Sequence, residues 1–530
     1  MAKSSARFSG RKPNIIYIYG DDLGRGMLSC YGQKWFQTPN IDRLAREGMR
    51  FERAYGCAFC APSRASLLTG IHDCHRGQWT FTTGGMYDAY TAGKVGLSEL
   101  SEVICSTSFQ SSADTVFLAQ VAQQAGYTTA QIGKLEWGFS TCDADIRRHG
   151  WDLHCGYYDH AQCHGFFPPY LFENGQHVDI AGNTRADFGK TPDTETPTNA
   201  EKRWDRRGCA VYSQDLFDAQ MVAFLESHCD QPFFLFHPSQ LPHGPIAVTE
   251  IDPAVRAVEG LTEFEKEYAS MVLRLDRTVG VLLDTLDRLG LAEDTLVIFS
   301  ADNGHEVYYV EESRADPSIN VRTGERHDNV STRFTSETSG DVFNGNDGMS
   351  GRKRDSWEGG VRLPFLARWP GRIAAGSASD LMIANYDCVA TFAELLGIAC
   401  PTGDGLSFLP ELLGQQDAQT KHDYVVYASG LGPGLSTQDG WKLRFLSLPG
   451  QNRYQLYHLP SDYTETKDRV LEERALVERL STALLRECDG NYLNGTPATH
   501  QVFLPGMQFF GPECHWDLRK DFLPGPAPSV

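Results

Sequence analysis

The sequence contains no run of 18 apolar residues, so no segment of it is built to cross a membrane as a helix. Positive charge is scarce. Lys and Arg number 48 against 68 Asp and Glu, a formal net charge of −20. A nucleic-acid partner needs a basic face, so that class of function is excluded. An anionic substrate is not excluded, but its site must be locally positive against the field of the whole chain. The basic opening MAKSSARFSGRK has no apolar stretch of signal-peptide type behind it. With Met at position 1 this favours a cytoplasmic bacterial protein, export with a removed signal being the other reading. The 14 cysteines are scattered, which excludes a small disulfide scaffold and favours reduced thiols. Cys57 and Cys60 form a CxxC with no second pair to complete a zinc site, and a Ser-Arg follows where a thioredoxin-like motif has none.

What is present fits a globular enzyme. A chain of 530 residues exceeds one compact core, so two domains are expected, 1–415 and 416–530. NIIYIYGDD is a short apolar strand ending in Asp21 and Asp22. Thr38, Pro39 and Gly48 bracket a helix by cap, first-turn and stop chemistry. Helix-then-strand patterns recur, ending at Lys134, at His237 and at Asp302–Asn303. The spacing predicts an α/β fold with a large, mostly parallel sheet sandwiched by helices. Ligands of such sheets sit beyond the C-terminal strand ends, where these polar clusters fall. Residues 310–348 read as a long loop, a lid or specificity element. The last hundred residues read as a small α+β domain with strands near 424, 441 and 452, a helix from 469 to 488, and a loose tail.

Asp21, Asp22, Asp302 and Asn303 offer hard oxygens suited to Ca²⁺ or Mg²⁺ rather than zinc. CAPSRASLLTG places Cys60 at a helix start, with Pro62 in the first turn and Arg64 as a fixed cation. Such a terminus favours an anionic substrate and an activated nucleophile. A bare thiolate beside a hard cation is a poor match, and an oxygen nucleophile a better one.

Cys60–Arg64 (CAPSR) with its LLTG continuation resembles the signature of the type I sulfatases. KPNIIYIYGDDLG, PNIDRLAREGMRFERAY, GK at 133–134, LPHGP around His243, FSADNG, RKRDSWEGGVRLP and YQLYHLPSDYTE resemble further family segments in family order. The resemblance implies that Cys60 is oxidised to formylglycine by a maturating enzyme. The hydrated aldehyde then attacks sulfur, and its second hydroxyl provides the route by which sulfate is expelled. It further implies that Asp21, Asp22, Asp302, Asn303 and modified Cys60 hold the metal. Arg64 and Lys134 would stabilise the hydrate, and His243 and Lys353 would bind the sulfate and assist the leaving oxygen. His237 reads as a packing residue.

One departure matters. Many relatives carry a proton-accepting histidine in Gly-Lys-Trp-His, whereas GKLEWG puts Glu136 there. A carboxylate beside a sulfate repels it unless protonated or paired, so Glu136 is a weak candidate base, facing the substrate or pairing with a cation being the other readings. The aromatic, histidine-rich stretch 149–175 resembles an insert of carbohydrate-cleaving members; Tyr157, Tyr158, His160 and His164 are candidates to line a sugar pocket, a packed aromatic loop being the equal alternative. The expected substrate is a sulfated small molecule or carbohydrate. A phosphodiesterase or phosphonate monoester hydrolase, and a binding homologue with unmodified Cys60, are the alternatives.

Overall fold

The computed structural model describes residues 12–78, 84–107, 115–136, 138–184, 204–310, 319–326, 335–448 and 451–496. The expected C-terminal tail lies outside them. No helix among the described residues is long and apolar enough to cross a membrane.

Eleven strands build the main sheet. In chain order they are β1 (Asn14–Gly20), β2 (Met49–Tyr55), β3 (Thr128–Gly133), β4 (Leu153–Gly156), β5 (Tyr170–Glu173) and β6 (Gln176–Asp179). There follow β7 (Phe233–Pro238), β8 (Thr295–Ala301), β9 (Arg362–Leu363), β10 (Phe365–Arg368) and β11 (Ser377–Ala384). The spatial order is β11-β2-β10-β8-β1-β7-β3-β4-β5-β6, with β9 beside β2. The centre, β8-β1-β7-β3-β4, is parallel. Antiparallel partners flank it.

Both faces of β1 are apolar because both are covered. Strand alternation sends Ile16 and Ile18 to one core, packed under the helices Glu263–Leu289 and Ser213–Ser227. Ile15, Tyr17 and Tyr19 go to the other, under Cys60–Thr69, Leu118–Gln124 and Asp387–Leu396. A strand with two dry faces needs a continuous apolar run, which is what made β1, β7 and β8 legible.

A second sheet, β12 (Tyr424–Tyr427), β13 (Gly434–Thr437), β14 (Trp441–Leu448) and β15 (Gln451–His458), is antiparallel. It carries the helix Arg474–Glu487, which starts five residues later than the sequence suggested. β13 went unnoticed because its residues GLST follow a Gly-Pro-Gly stretch that reads as a turn. Of the expected loop 310–348, residues 311–318 and 327–334 lie outside the described residues, and the part from 335 on is mostly irregular, with a short helix at Ser336–Ser339, and packed. Phe343 belongs to the core, and Asp341, Asn346 and Met349 are buried.

A histidine pair ties the two sheets together. The His72 and His75 rings stack with centroids 4.0 Å apart. His75 Nδ1 lies 3.1 Å from Asp489 Oδ1, just past the C-terminal helix, and Nε2 lies 3.3 Å from Asp404 Oδ1. Partial burial opposes protonation, but Asp404 and Asp489 outweigh it and raise the His75 pKa to about 9. An unfolded histidine titrates near about 6.5. A pKa raised on folding gives stability that is complete below pH about 6.5 and is lost as pH rises through about 9. The melting midpoint should therefore fall across that window, and His75→Gln should flatten the fall. A His75→Gln profile parallel to that of the parent protein would remove His75 as its cause.

Candidate active site

The C-terminal ends of five strands deliver side chains to one buried cluster. β1 runs into Asp21 and Asp22, and β8 into Asp302 and Asn303, none with exposed surface. β3 ends at Gly133, followed by Lys134, which is 1% exposed. Gly133 has a φ of +139°, and a Cβ there would meet Pro238 O at 2.4 Å. Glycine lets β3 press against the end of β7, where the Lys134 amide donates to Pro238 O. The loop after β7 carries His243, and β2 leads through a short turn into the Cys60–Thr69 helix. That helix is buried along its whole length, so Cys60 and Arg64 are held in the interior. Ser63 fixes its start: its hydroxyl donates to Asp302 O, and its own carbonyl accepts from Asn385 Nδ2 at 2.9 Å.

Asp22 adopts a φ of 60°, a left-handed conformation that short polar side chains tolerate. Its amide donates to Asp302 Oδ1 at 3.0 Å, as does that of Asn303 at 2.9 Å. Lys353 Nζ donates to Asp22 Oδ2 at 2.8 Å and lies 2.7 Å from Oδ1. Tyr308 and Asn303 donate to Asp22 as well. Arg64 reaches Asp302 Oδ2 at 3.1 Å and lies 3.6 Å from Asp21 Oδ1, while Lys134 donates to Asp21. His243 Nε2 is 3.3 Å from Lys353 Nζ and 3.4 Å from Asp22 Oδ2.

These residues fit a divalent cation. Asp21 Oδ1 and Asn303 Oδ1 are buried and accept no hydrogen bond, against the rule for buried oxygens. One ligand atom each from Asp21, Asp302 and Cys60 lies within 4.8 Å of the others. Burial pushes the Asp302 carboxyl well above its usual range, and the Asp21 charge beside it adds to the effect. Asp22 is also fully buried, yet Lys353, with help from Tyr308 and Asn303, holds its carboxyl below the usual range. Three cations, Arg64, Lys134 and Lys353, face the three carboxylates Asp21, Asp22 and Asp302. A dication added to this balanced set would make the pocket locally positive, as an anionic ligand requires in an acidic chain.

Two expectations are overturned. Glu136 does not face the cluster. Its carboxylate is buried, accepts the Trp151 indole N–H, and lies 2.8 Å from His149 Nδ1. Tyr157 and Tyr158 line no open pocket. Tyr157 is 2% exposed and donates to Gly165 O at 2.7 Å, and Tyr158 stacks on Phe172 at 4.1 Å. His160 packs edge-on against Phe139 at 4.7 Å. His164 does reach the cluster, with Nε2 3.2 Å from Lys134 Nζ. His237 is a packing residue, with Nδ1 2.6 Å from Ile132 O and its ring beside Phe217. Cys57 is buried with its sulfur 3.4 Å from Ser66 Oγ. Tyr308 escaped sequence reasoning, because a lone hydroxyl carries no local pattern and only folding brings it to Asp22; Ser63 stands in the CAPSR stretch, but only folding brings it to Asp302 O.

Comparison with known proteins agrees with this geometry. The family model described as Sulfatase matches residues 13–398, and the one described as N-sulphoglucosamine sulphohydrolase, C-terminal, matches 351–486. The chain is 27% identical to the N-acetylgalactosamine-6-O-sulfatase of Bacteroides thetaiotaomicron, covering 90% of this chain and 93% of that one. It is 31% identical to human arylsulfatase A, covering 76% of this chain and 68% of that one. A solved chain in complex with a neocarrahexaose superposes with a TM-score of 0.65 at 23% identity, covering 93% of this chain and 95% of the other.

Proposed function

The chain belongs to the sulfatase family, and from that premise we propose that it removes sulfate from a carbohydrate monoester, using residue 60 as the nucleophile beside a calcium ion. That it is a sulfuric ester hydrolase follows from the family. The substrate class, the modification and the cation are the proposal.

The observation that carries it is the pair of buried oxygens that accept no hydrogen bond, Asp21 Oδ1 and Asn303 Oδ1, in the charge cluster that Cys60 joins at its helix start. Calcium takes all-oxygen sets of this kind. Asp21, Asp302 and Asn303 would hold it, Asp22 joining as Lys353 turns to the substrate. The thiol of Cys60 stands where an oxidised side chain would sit. When present, the cation and a hydrated formylglycine would together supply a polarised oxygen nucleophile. A formylglycine-generating enzyme is the partner this requires.

The chain's own residues do the rest. Arg64 and Lys134 hold positive charge against Asp302 and Asp21 and would steady residue 60 beside the carboxylates that would hold the cation. Lys353 and His243, 3.3 Å apart, form a paired donor site for sulfate oxygens. Once Lys353 turns to the substrate, His243 Nε2 is free to carry a proton to the leaving oxygen, with Asp22 close enough to stabilise the charged ring. Burial of the cluster excludes bulk water and strengthens each of these contacts. A sugar ester is favoured because the relative aligned over nearly its whole length is named for a sulfated amino sugar.

Peptide mass spectrometry across Cys60 tests the nucleophile. Conversion of thiol to aldehyde removes about 18 Da. Protein carrying that change should cleave an aryl sulfate far faster than the matching aryl phosphate. Equal or reversed preference would move the assignment to a phosphate or phosphonate ester. Turnover by protein whose Cys60 is wholly unmodified would end it.

A further inference from the structure

The stretch 157–168 brings a second imidazole into the cluster beside that of His243. His164 lies on a short 3-10 turn, Gln162–His164, and is 1% exposed. Its Nε2 is 3.2 Å from Lys134 Nζ, and its ring centroid is 3.9 Å from that of His243. One ligand atom each from Asp21, His164 and His243 lies within 4.8 Å of the others. We propose that His164 is the proton acceptor behind Lys134, receiving through the Lys134 ammonium the proton released at residue 60 during turnover. This rests on residue 60 being the nucleophile.

The turn is built to hold that ring in place. Gln240 Nε2 donates to Cys163 O at 2.6 Å and to Gly165 O at 2.8 Å. The Tyr157 hydroxyl also donates to Gly165 O, and the Cys163 amide to Asp159 O at 2.9 Å. Gln240 lies on the loop that carries His243, so one loop sets both imidazoles. The position two residues after Lys134 cannot serve instead, because the Glu136 carboxylate is committed to His149 and Trp151.

The groups facing His164 set its state. Lys134 arrives from β3, Asp21 from β1 and His243 from the β7 loop, while His160 and Cys163 belong to its own turn. An ammonium has protons and no lone pair, so contact with Lys134 makes Nε2 the acceptor and leaves the proton on Nδ1. A neutral imidazole is therefore presented beside a cationic lysine. The step balances without any redox change. Lys134 Nζ passes one of its protons to His164 Nε2, and the lone pair this frees takes the proton of the reacting hydroxyl at residue 60, so lysine ends as it began and His164 becomes a cation. His243 gives up its proton to the leaving oxygen in the same cycle. The facing rings need not be cations together, and their environments divide the acid role from the base role.

The test uses full-length protein whose residue 60 conversion has been verified by mass. His164→Gln keeps an acceptor for Lys134 but cannot carry the proton, and His164→Gly leaves room for added imidazole. The expected result for His164→Gln is a fall in kcat of roughly 100- to 10,000-fold, the range for general acid–base groups, with KM changed only a few-fold. Both variants should keep the parent's rise in melting midpoint on adding calcium. Imidazole should restore part of the His164→Gly rate, in proportion to its neutral fraction. Glu136→Gln should lower the melting midpoint while leaving kcat within a few-fold. A His164→Gln kcat within about tenfold of the parent overturns the inference. So does a His164→Gly loss that imidazole leaves untouched while the calcium response persists. A large kcat loss in Glu136→Gln with normal melting moves the acceptor to residue 136. Failure of the underlying reading looks different: the parent itself, with residue 60 converted, would leave sulfate esters intact.

Discussion

Replacing Cys60 by serine should abolish turnover of sulfate esters, by on the order of 10⁵-fold or more, the scale seen when a nucleophile is removed from an otherwise intact site. The loss should come in kcat. Serine at residue 60 preserves the helix start, the Ser63 contacts and the Arg64–Asp302 pair, so the melting midpoint should move little. Its hydroxyl is an oxygen nucleophile but offers a single proton, whereas a hydrated aldehyde offers two and so has a route by which sulfate leaves. Cys60→Ala should match Cys60→Ser in the steady state. A single-turnover experiment separates them, because Cys60→Ser can retain sulfate on the peptide where Cys60→Ala has nothing to carry it. A Cys60→Ser variant that turns over at more than about a hundredth of the parent rate would show that residue 60 is not the reacting group.

Removal of the divalent cation is the second large effect. Chelation should cut the rate by about a thousandfold or more, since polarising the attacking oxygen is worth several kcal/mol and each 1.4 kcal/mol is tenfold. Calcium should restore it. The same ion should stabilise the fold, because Asp21 Oδ1 and Asn303 Oδ1 are buried without a donor and Asp302 sits beside the Asp21 charge. An ion present at a hundred times its dissociation constant adds about 2.7 kcal/mol. Asp302→Asn should erase the calcium-dependent rise in melting midpoint as well as the activity. Identical melting curves in calcium and in chelator would sink the cation assignment, whatever happens to the rate.

The pocket's charge explains how an acidic chain can take an anionic substrate. The net charge of −20 is spread over the chain, while Arg64, Lys134 and Lys353 are buried together around three carboxylates. Inside that low-dielectric cluster a bound dication would tip the local balance, and the global field matters less at contact distance.

The sequence by itself determined where the strands end and what stands there. Asp21–Asp22, Lys134 and Asp302–Asn303 each follow an apolar run, and an apolar run broken by charge is a local signal that needs no partner to be read. Cys60 at a helix start was legible for the same reason, since proline in the first turn and glycine at the stop act within one helix. Only the tertiary structure decided which imidazole stands beside Lys134. Glu136 lies only two residues on in the chain but turns to Trp151, while His164 comes back from 30 residues away. It decided as well that Tyr157 and Tyr158 pack inside, and that the 335–350 stretch is anchored by Phe343. Contacts of this kind depend on how loops close over the sheet, and a side chain's composition does not encode which of two surfaces it will meet once they do.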